Sequence, residues 1–271
     1  MHPFETAFVA ILLAHSLGDF VLQSERMIAA KTTIRGYVEH GLVHYALLAG
    51  SLCFLSRDIF SIHIEILLLG YVSIHLVIDF VKHTSISRKL VADSTTVFIA
   101  DQLLHFLTMA LLARLLGNMT WHQLATQFTW SVQSRERVLA TGVVYTLAIF
   151  AGGYLVRYLT NSLAVERPLR YLTNSLAVER PLNSTESEQE LRNAGMYIGW
   201  LERFLVITAV MMQSPALIGL ILTGKSIARF PELKEARFAE YFLIGTSLSI
   251  SIALLGGLIL ARFVYGSISL K

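Results

Sequence analysis

Long apolar runs separated by short polar connections recur along the whole chain. A run of about 18 or more apolar residues can cross a bilayer as an α-helix. The fold class is therefore all-α, a polytopic helical membrane protein with about seven transmembrane helices (six to eight). The predicted spans are residues 4–22, 40–57, 62–83, 96–117, 138–158, 197–222 and 239–265. The first run lacks the basic start and the cleavage site of a signal peptide, so we interpret it as a membrane helix.

The sixth run contains a break. Gln213, Ser214 and Pro215 interrupt its apolar pattern, and a proline inside a helix removes a backbone hydrogen bond. One alternative is a single kinked span, and the other is a pair of short helices bent back at Pro215. The hairpin would return four cations to the cytoplasmic side: Lys225, Arg229, Lys234 and Arg237. Both alternatives remain open at this point.

Polar segments divide the chain into two domains, 1–117 with four closely spaced spans and 118–271 with three or four more. The connection 159–196 of the second domain is predicted to be a cytoplasmic loop containing an identical tandem repeat. The 13-residue sequence RYLTNSLAVERPL occupies 157–169 and again 170–182. Inside a helix this insertion would turn all later side chains onto another face, whereas added loop length costs little. A neutral duplication and a loop that alters activity or assembly both remain open.

Composition and charge agree with a membrane protein. Hydrophobic residues make up 54% of the chain and charged residues 15%, with a formal net charge of +3. The basic residues lie in the connections, as membrane topology requires, so we expect membrane lipids as partners and no nucleic acid. Several basic residues follow each of the first and third spans, whereas the connection after the second span contains only Arg57. This distribution predicts that the N-terminus lies outside the cytoplasm. Cys53 is the single cysteine, so an intrachain disulfide is impossible.

Four of the predicted spans carry histidine and aspartate pairs at i,i+4 spacing, which places each pair on one helix face. The pairs are His15–Asp19, His40–His44, His75–Asp79 and Asp101–His105. They lie near the ends of spans one and three and near the starts of spans two and four. Because successive spans run in opposite directions, all four pairs should reach one depth near the cytoplasmic boundary. Ionisable groups in membrane helices usually face a partner inside the bundle, so we predict one shared polar site.

The two halves of the first domain resemble each other. The motif HxxxDFV begins at residue 15 and again at residue 75, and GLVHY at 41–45 aligns with QLLHF at 102–106. We interpret residues of about 10–57 and 70–117 as repeated helical hairpins that form a four-helix bundle. A pseudo-twofold axis along the membrane normal would bring their polar pairs together.

Histidine and aspartate are ligands that suit zinc, manganese or iron. We predict one or two such divalent ions, because the candidate ligands outnumber the four positions of a tetrahedral ion. The predicted ligands are His15, Asp19, His44, His75, Asp79, Asp101 and His105, with His40 as a further ligand or a catalytic base. Candidates for supporting or substrate-contacting residues are Gln23, Lys82, His83 and Gln102. A metal-free proton relay or hydrogen-bond network is the alternative.

The motifs AHSLGDFVLQ, HLVIDFVKH, DQLLH and AEYFLIGTSLS resemble an uncharacterised family of bacterial inner-membrane proteins, known only as a domain of unknown function. The resemblance covers nearly the whole chain and implies the bacterial cytoplasmic membrane. The tandem repeat departs from the family, in which a single copy is expected. A looser similarity, in histidine and aspartate usage, is to membrane-bound metal-dependent hydrolases.

These observations lead us to expect a membrane-embedded metal-dependent hydrolase of a phosphate or acyl ester. Its substrate would be a small molecule or a lipid, reached from the cytoplasmic side. Two alternatives remain: a transporter or channel for a divalent cation or small metabolite, and a di-iron oxidase, since a four-helix bundle with inward carboxylates and histidines also fits the latter.

Overall fold

The computed structural model describes residues 3–31, 33–55, 61–117, 132–165 and 184–266. Within these ranges the chain is helical and contains no β-strand, so the predicted all-α fold is confirmed. The chain divides into two compact units, Met1–Thr146 and Leu147–Lys271.

The first unit is built around a bundle of four helices. Its elements are α1 (Pro3–Ser16) with a following π-helical turn (Leu17–Val21), α2 (Glu25–Ala30), α3 (Ile34–Leu55), α4 (Ile62–Ser87), α5 (Thr95–Gly117) and α6 (Val132–Thr146). Helices α1 and α4 each pack against both α3 and α5, while α6 packs against α1. In this arrangement α1 lies diagonally opposite α4, and α3 opposite α5, as two repeated hairpins around a twofold axis would lie.

Each bundle helix has one buried stripe that is polar at one end and apolar at the other. On α3 the histidine pair comes first and Leu48 and Leu52 follow. On α4 the order is reversed, with Leu68 and Val72 before the polar pair. On α1 the buried apolar residues come before the polar pair, as on α4, and on α5 the polar pair comes first, as on α3. The polar ends therefore meet at one end of the bundle, and an apolar core fills the other.

The outward faces of the bundle are also apolar. Leu42, Val77 and Leu107 are each about 60% exposed, a surface that a bilayer solvates and water does not. Five described helices are long and apolar enough to cross a membrane: Ile34–Leu55, Ile62–Ser87, Thr95–Gly117, Gln133–Thr160 and Phe238–Val264. The chain is thus a helical membrane protein. The first predicted span, 4–22, is α1 with its π-turn and is not one of the five, so a total of seven stays a prediction.

The second unit contains the break that the sequence left open. After a π-turn (Leu147–Ala151) come α7 (Gly152–Val165), α8 (Ser184–Met211), α9 (Pro215–Ala228) and α10 (Ala236–Ile259), which ends in a π-turn (Leu260–Val264). Helix α8 packs along α10, and α9 folds back on α8. Lys225 of α9 donates a hydrogen bond to Glu202 of α8 at 2.6 Å. The hairpin at Pro215 is therefore the correct alternative, and the single kinked span is wrong.

The predicted loop 159–196 is helical at both ends. Helix α7 runs on to Val165, because the first repeat contains no glycine or proline before Pro168 to stop it. Helix α8 begins at Ser184, in a segment rich in helix-forming glutamate. Residues 166–183, with most of the tandem repeat, lie outside the described residues.

A buried arginine joins three elements of the second unit. Arg203 on α8 is 4% exposed. Its guanidinium donates to the carbonyl oxygen of Ile149 in the π-turn at 2.7 and 2.9 Å, and to the Ser249 hydroxyl on α10 at 2.9 Å. These bonds satisfy a cation that the surrounding helices bury.

Candidate metal centre

The polar ends of the four stripes meet in one buried cluster. All four pairs predicted from the sequence contribute to it, and each histidine of these pairs is at most 3% exposed. The side chains form three overlapping groups, within each of which the candidate ligand atoms lie within 4.8 Å of one another. The groups are His15–Asp19–His44–His75, Asp19–His40–His75–Asp79 and Asp79–Asp101–His105. These residues could hold a metal ion.

Asp19 connects the first two groups. Its Oδ1 lies 3.0 Å from His44 Nε2, 3.4 Å from His40 Nε2 and 3.6 Å from His75 Nε2. Its Oδ2 lies 3.4 Å from His15 Nε2. One carboxylate thus faces histidines from three different helices with both of its oxygens.

Asp79 connects the second and third groups in the same way. Its Oδ2 lies 3.1 Å from His40 Nε2, and its Oδ1 lies 3.7 Å from His105 Nε2. Asp19 and Asp79 occupy equivalent positions in the two repeated hairpins. The structure therefore places one shared carboxylate in each repeat.

The orientation of His105 suits a metal ligand. Its Nδ1 lies 3.0 Å from the backbone carbonyl oxygen of Asp101, one turn earlier on α5. A carbonyl only accepts hydrogen bonds, so Nδ1 carries the proton and Nε2 presents a lone pair to the cluster. That Nε2 has no hydrogen-bond partner among the described residues, and neither ring nitrogen of His15 has one. Buried polar atoms are normally paired, so these nitrogens indicate a site built for something further.

The distances between ligand atoms agree with metal coordination. Atoms about 2.1 Å from a tetrahedral ion lie about 3.4 Å from one another. The contacts of Asp19 Oδ1 with three imidazoles fall between 3.0 and 3.6 Å. His40 Nε2 and His75 Nε2 are 3.1 Å apart, close to the separation of two nitrogens that share one ion.

Two local features shape the end of α1. The π-turn Leu17–Val21 carries Asp19, and such turns, which widen a helix by one residue, are frequent at functional sites. Gly18, one residue earlier, makes room for an imidazole. A Cβ atom at this position would lie 2.5 Å from His44 Nε2, so a larger residue cannot fit without moving that ring.

The four residues predicted to support the site fall into two kinds. Lys82 and Gln102 both donate to Asp101 Oδ2, at 2.7 and 3.0 Å. Gln23 and His83 are half-buried, and in the described part of the chain no hydrogen bond joins them to the ligand residues. The structure thus brings two of these four residues to the cluster.

Sequence reasoning missed Lys31 as a member of the site. Its side chain is 9% exposed, and its ammonium group donates to Asp79 Oδ2. In the sequence, Lys31 belongs to the group of basic residues that follows the first span and predicts the orientation of the chain. It follows the short helix α2, which Ser24 caps by accepting a hydrogen bond from the Met27 amide. No sequence motif marks the short helix α2 or the contact between Lys31 and Asp79.

Comparison with known proteins finds a similarity in the first part of the chain. Residues 7–134 match the model of a family described as "Protein of unknown function (DUF3307)". Over these residues the chain is similar to this family. The predicted uncharacterised family is confirmed over these residues, which include every candidate ligand, whereas AEYFLIGTSLS lies outside the match. No curated protein and no solved structure matches the chain.

Proposed function

We propose that the protein is a membrane-embedded metal-dependent hydrolase of a phosphate or acyl ester. The observation that carries the proposal is the sharing of Asp19 and Asp79 between overlapping histidine groups. A carboxylate common to two ligand groups could be shared by two metal ions. An ion pair or hydrogen-bond network needs no such overlap.

The ligand set supports one or two ions of zinc, manganese or iron. Five imidazoles and three carboxylates belong to the three groups, which is more than one tetrahedral ion can use. Sulfur ligands are absent from these groups, so softer ions have no advantage here. His40 faces both shared carboxylates, at 3.1 and 3.4 Å, which favours a ligand over the catalytic base that we also considered.

The metal would supply a nucleophilic hydroxide at neutral pH and would stabilise charge on a phosphoryl or carbonyl oxygen. The protein side chains would perform the remaining tasks. The imidazoles would hold the ions, and the apolar end of the bundle would exclude water. Lys82, which is 29% exposed, lies at the more open edge of the cluster. We place the site near the cytoplasmic face of a bacterial inner membrane, with the N-terminus outside, on the distribution of loop cations.

The two rival functions are separable. Di-iron carboxylate proteins use glutamates and Glu-x-x-His motifs, but no glutamate belongs to the three groups among the described residues. A transporter would favour a site near the bilayer midplane on discontinuous helices. The cluster instead lies toward one end of the helices that carry it, which favours the enzyme.

The decisive experiment measures metal content and ester hydrolysis on the full chain purified in detergent. We expect about one to two equivalents of metal, with loss of the ion in Asp79→Asn and His105→Ala. Matched controls are Glu65→Gln and His63→Ala on α4, both outside the three groups. Hydrolysis would be followed with p-nitrophenyl phosphate and p-nitrophenyl butyrate, before and after chelation.

The outcomes distinguish the candidates. Metal-dependent cleavage of either ester that disappears in Asp79→Asn supports a hydrolase. Bound metal without cleavage, together with uptake of the ion by reconstituted vesicles, would replace the hydrolase by a transporter. Equal metal content in the wild type, both site variants and both controls would leave only a hydrogen-bond network.

A further inference from the structure

We infer that the substrate presents a phosphoryl anion, and that Lys31 and Lys82 bind it beside the metal centre. This inference rests on the proposed function, and it selects between the two ester classes. The observation behind it is that two ammonium groups from different elements approach one ligand group, Asp79–Asp101–His105.

The position of Lys31 requires dedicated local structure. Helix α2 packs against α3, and Gly36 at the start of α3 permits their close approach. A Cβ at Gly36 would lie 2.2 Å from the carbonyl oxygen of Ala30. The result is a lysine that is 92% buried at the cluster, and burying an ammonium group is costly unless a charge compensates it.

Lys82 reaches the same ligand group from a different element. It lies on α4, three residues after Asp79, and its ammonium group bonds Asp101 Oδ2 at 2.7 Å. With 29% of its side chain exposed, it connects the buried ligands to the surroundings. The two lysines thus bond different carboxylates of one ligand group, Lys31 that of Asp79 and Lys82 that of Asp101, and Lys82 is the more exposed of the two.

Charge decides which substrate fits. The three aspartates carry three negative charges, and the two lysines offset two of them, which leaves a single negative charge when the histidines are neutral. One divalent ion together with the nucleophilic hydroxide would make the cluster neutral, and two ions together with that hydroxide would make it positive by two units. An uncompensated positive charge is expensive in a membrane helix bundle. A phosphate ester supplies the missing negative charge, whereas a neutral acyl ester does not.

The reaction balances without any further reactant. The oxygen of one water molecule forms a bond to phosphorus while the ester P–O bond breaks, and the alcohol leaves with a proton. The lysines would hold the non-bridging phosphoryl oxygens as point charges, a common role for this residue. They would contribute binding and charge neutralisation, and the imidazoles and carboxylates would keep the metal.

The test measures binding of inorganic phosphate to the metal-loaded full chain in a phosphate-free detergent, by calorimetry. We expect Lys31→Met and Lys82→Met each to weaken phosphate binding about tenfold or more, since each removes a charged hydrogen bond. Their metal content should stay that of the wild type. Lys225→Met is the matched control, because Lys225 pairs with Glu202 in the second unit, and it should bind phosphate normally. Butyrate should not replace phosphate.

The source of the phosphoryl group is a separate arm of the same test. Phosphatidic acid in mixed micelles and the water-soluble p-nitrophenyl phosphate would be compared as competitors of inorganic phosphate. Preference for either one supports the inference and identifies the substrate as a lipid or a soluble ester. Full metal content with unchanged phosphate affinity in both lysine variants would overturn it, as would loss of metal in Lys82→Met. A wild type that binds no metal would instead overturn the proposed function.

Discussion

Gly18→Ala is a small change with a large expected effect on metal binding. The new methyl group would lie 2.5 Å from both Nε2 and Cε1 of His44. Ordinary van der Waals contact begins at 3.4 Å, so the imidazole must move by about 0.9 Å or the helix end must shift by a similar distance. The ring cannot stay where Asp19 Oδ1 is now 3.0 Å from its Nε2.

The consequence for the metal follows from coordination geometry. Metal–ligand distances tolerate changes of about 0.2 Å, several times less than the displacement required. We therefore expect Gly18→Ala to weaken metal affinity about 10–100-fold, the usual cost of disturbing the groups that orient a ligand. Helix propensity alone would act in the opposite direction, since alanine is favoured over glycine by about 1 kcal/mol.

The assay is a competition titration of the purified variant against a chelator of known affinity, with thermal denaturation in parallel. Gly50→Ala is the matched control, because it lies on α3 with His44 and an added Cβ there meets nothing within 4 Å. We expect Gly50→Ala to keep wild-type affinity. Wild-type affinity in a folded Gly18→Ala protein would refute the assignment of His44 as a ligand.

Three other perturbations test separate parts of the structure. Ser249→Ala removes the hydroxyl partner of Arg203 and should lower the free energy of unfolding by about 1–3 kcal/mol. The measurement is thermal denaturation, and the control is Ser251→Ala, at an exposed position on the same helix. Lowering the pH from about 7 to about 5 should release the metal, since imidazoles bind metal only when neutral; retention would argue against histidine ligands. Deletion of residues 170–182 should leave metal content and melting temperature unchanged, and a variant that fails to fold would show that the second copy is structurally required.

The sequence predicted the cluster because its signal was redundant. Each pair at i,i+4 spacing marks one helix face, and the alternation of the pairs between span ends fixes their common depth. The repeat of HxxxDFV at residues 15 and 75 adds a symmetry that chance placement would not produce. The described structure brings all of these side chains together because helix periodicity and antiparallel order leave little freedom.

Other features depend on tertiary contacts that carry no such pattern. Lys31 reaches Asp79 only because α2 and Gly36 turn the chain back, and a basic residue after a membrane span is ordinary in sequence. The sequence at Pro215 fits both a hairpin and a kinked helix, and only the contact between Lys225 and Glu202 distinguishes them. The π-turn at Leu17–Val21 is likewise set by packing, because its sequence, LGDFV, would also suit a regular helix.

The two-part stripes imply that the ends of the bundle are held together by different forces. Leu52, Leu68 and Leu116 at one end are fully buried and need no ligand to stay packed. The opposite end confines imidazoles and carboxylates whose mutual contacts favour coordination over packing. Amide hydrogen exchange should therefore divide the unit: removal of the ion should accelerate exchange in residues 17–31, while residues 48–55 keep their protection. The metal would stabilise the polar end of the bundle, whereas apolar packing stabilises the other end without it.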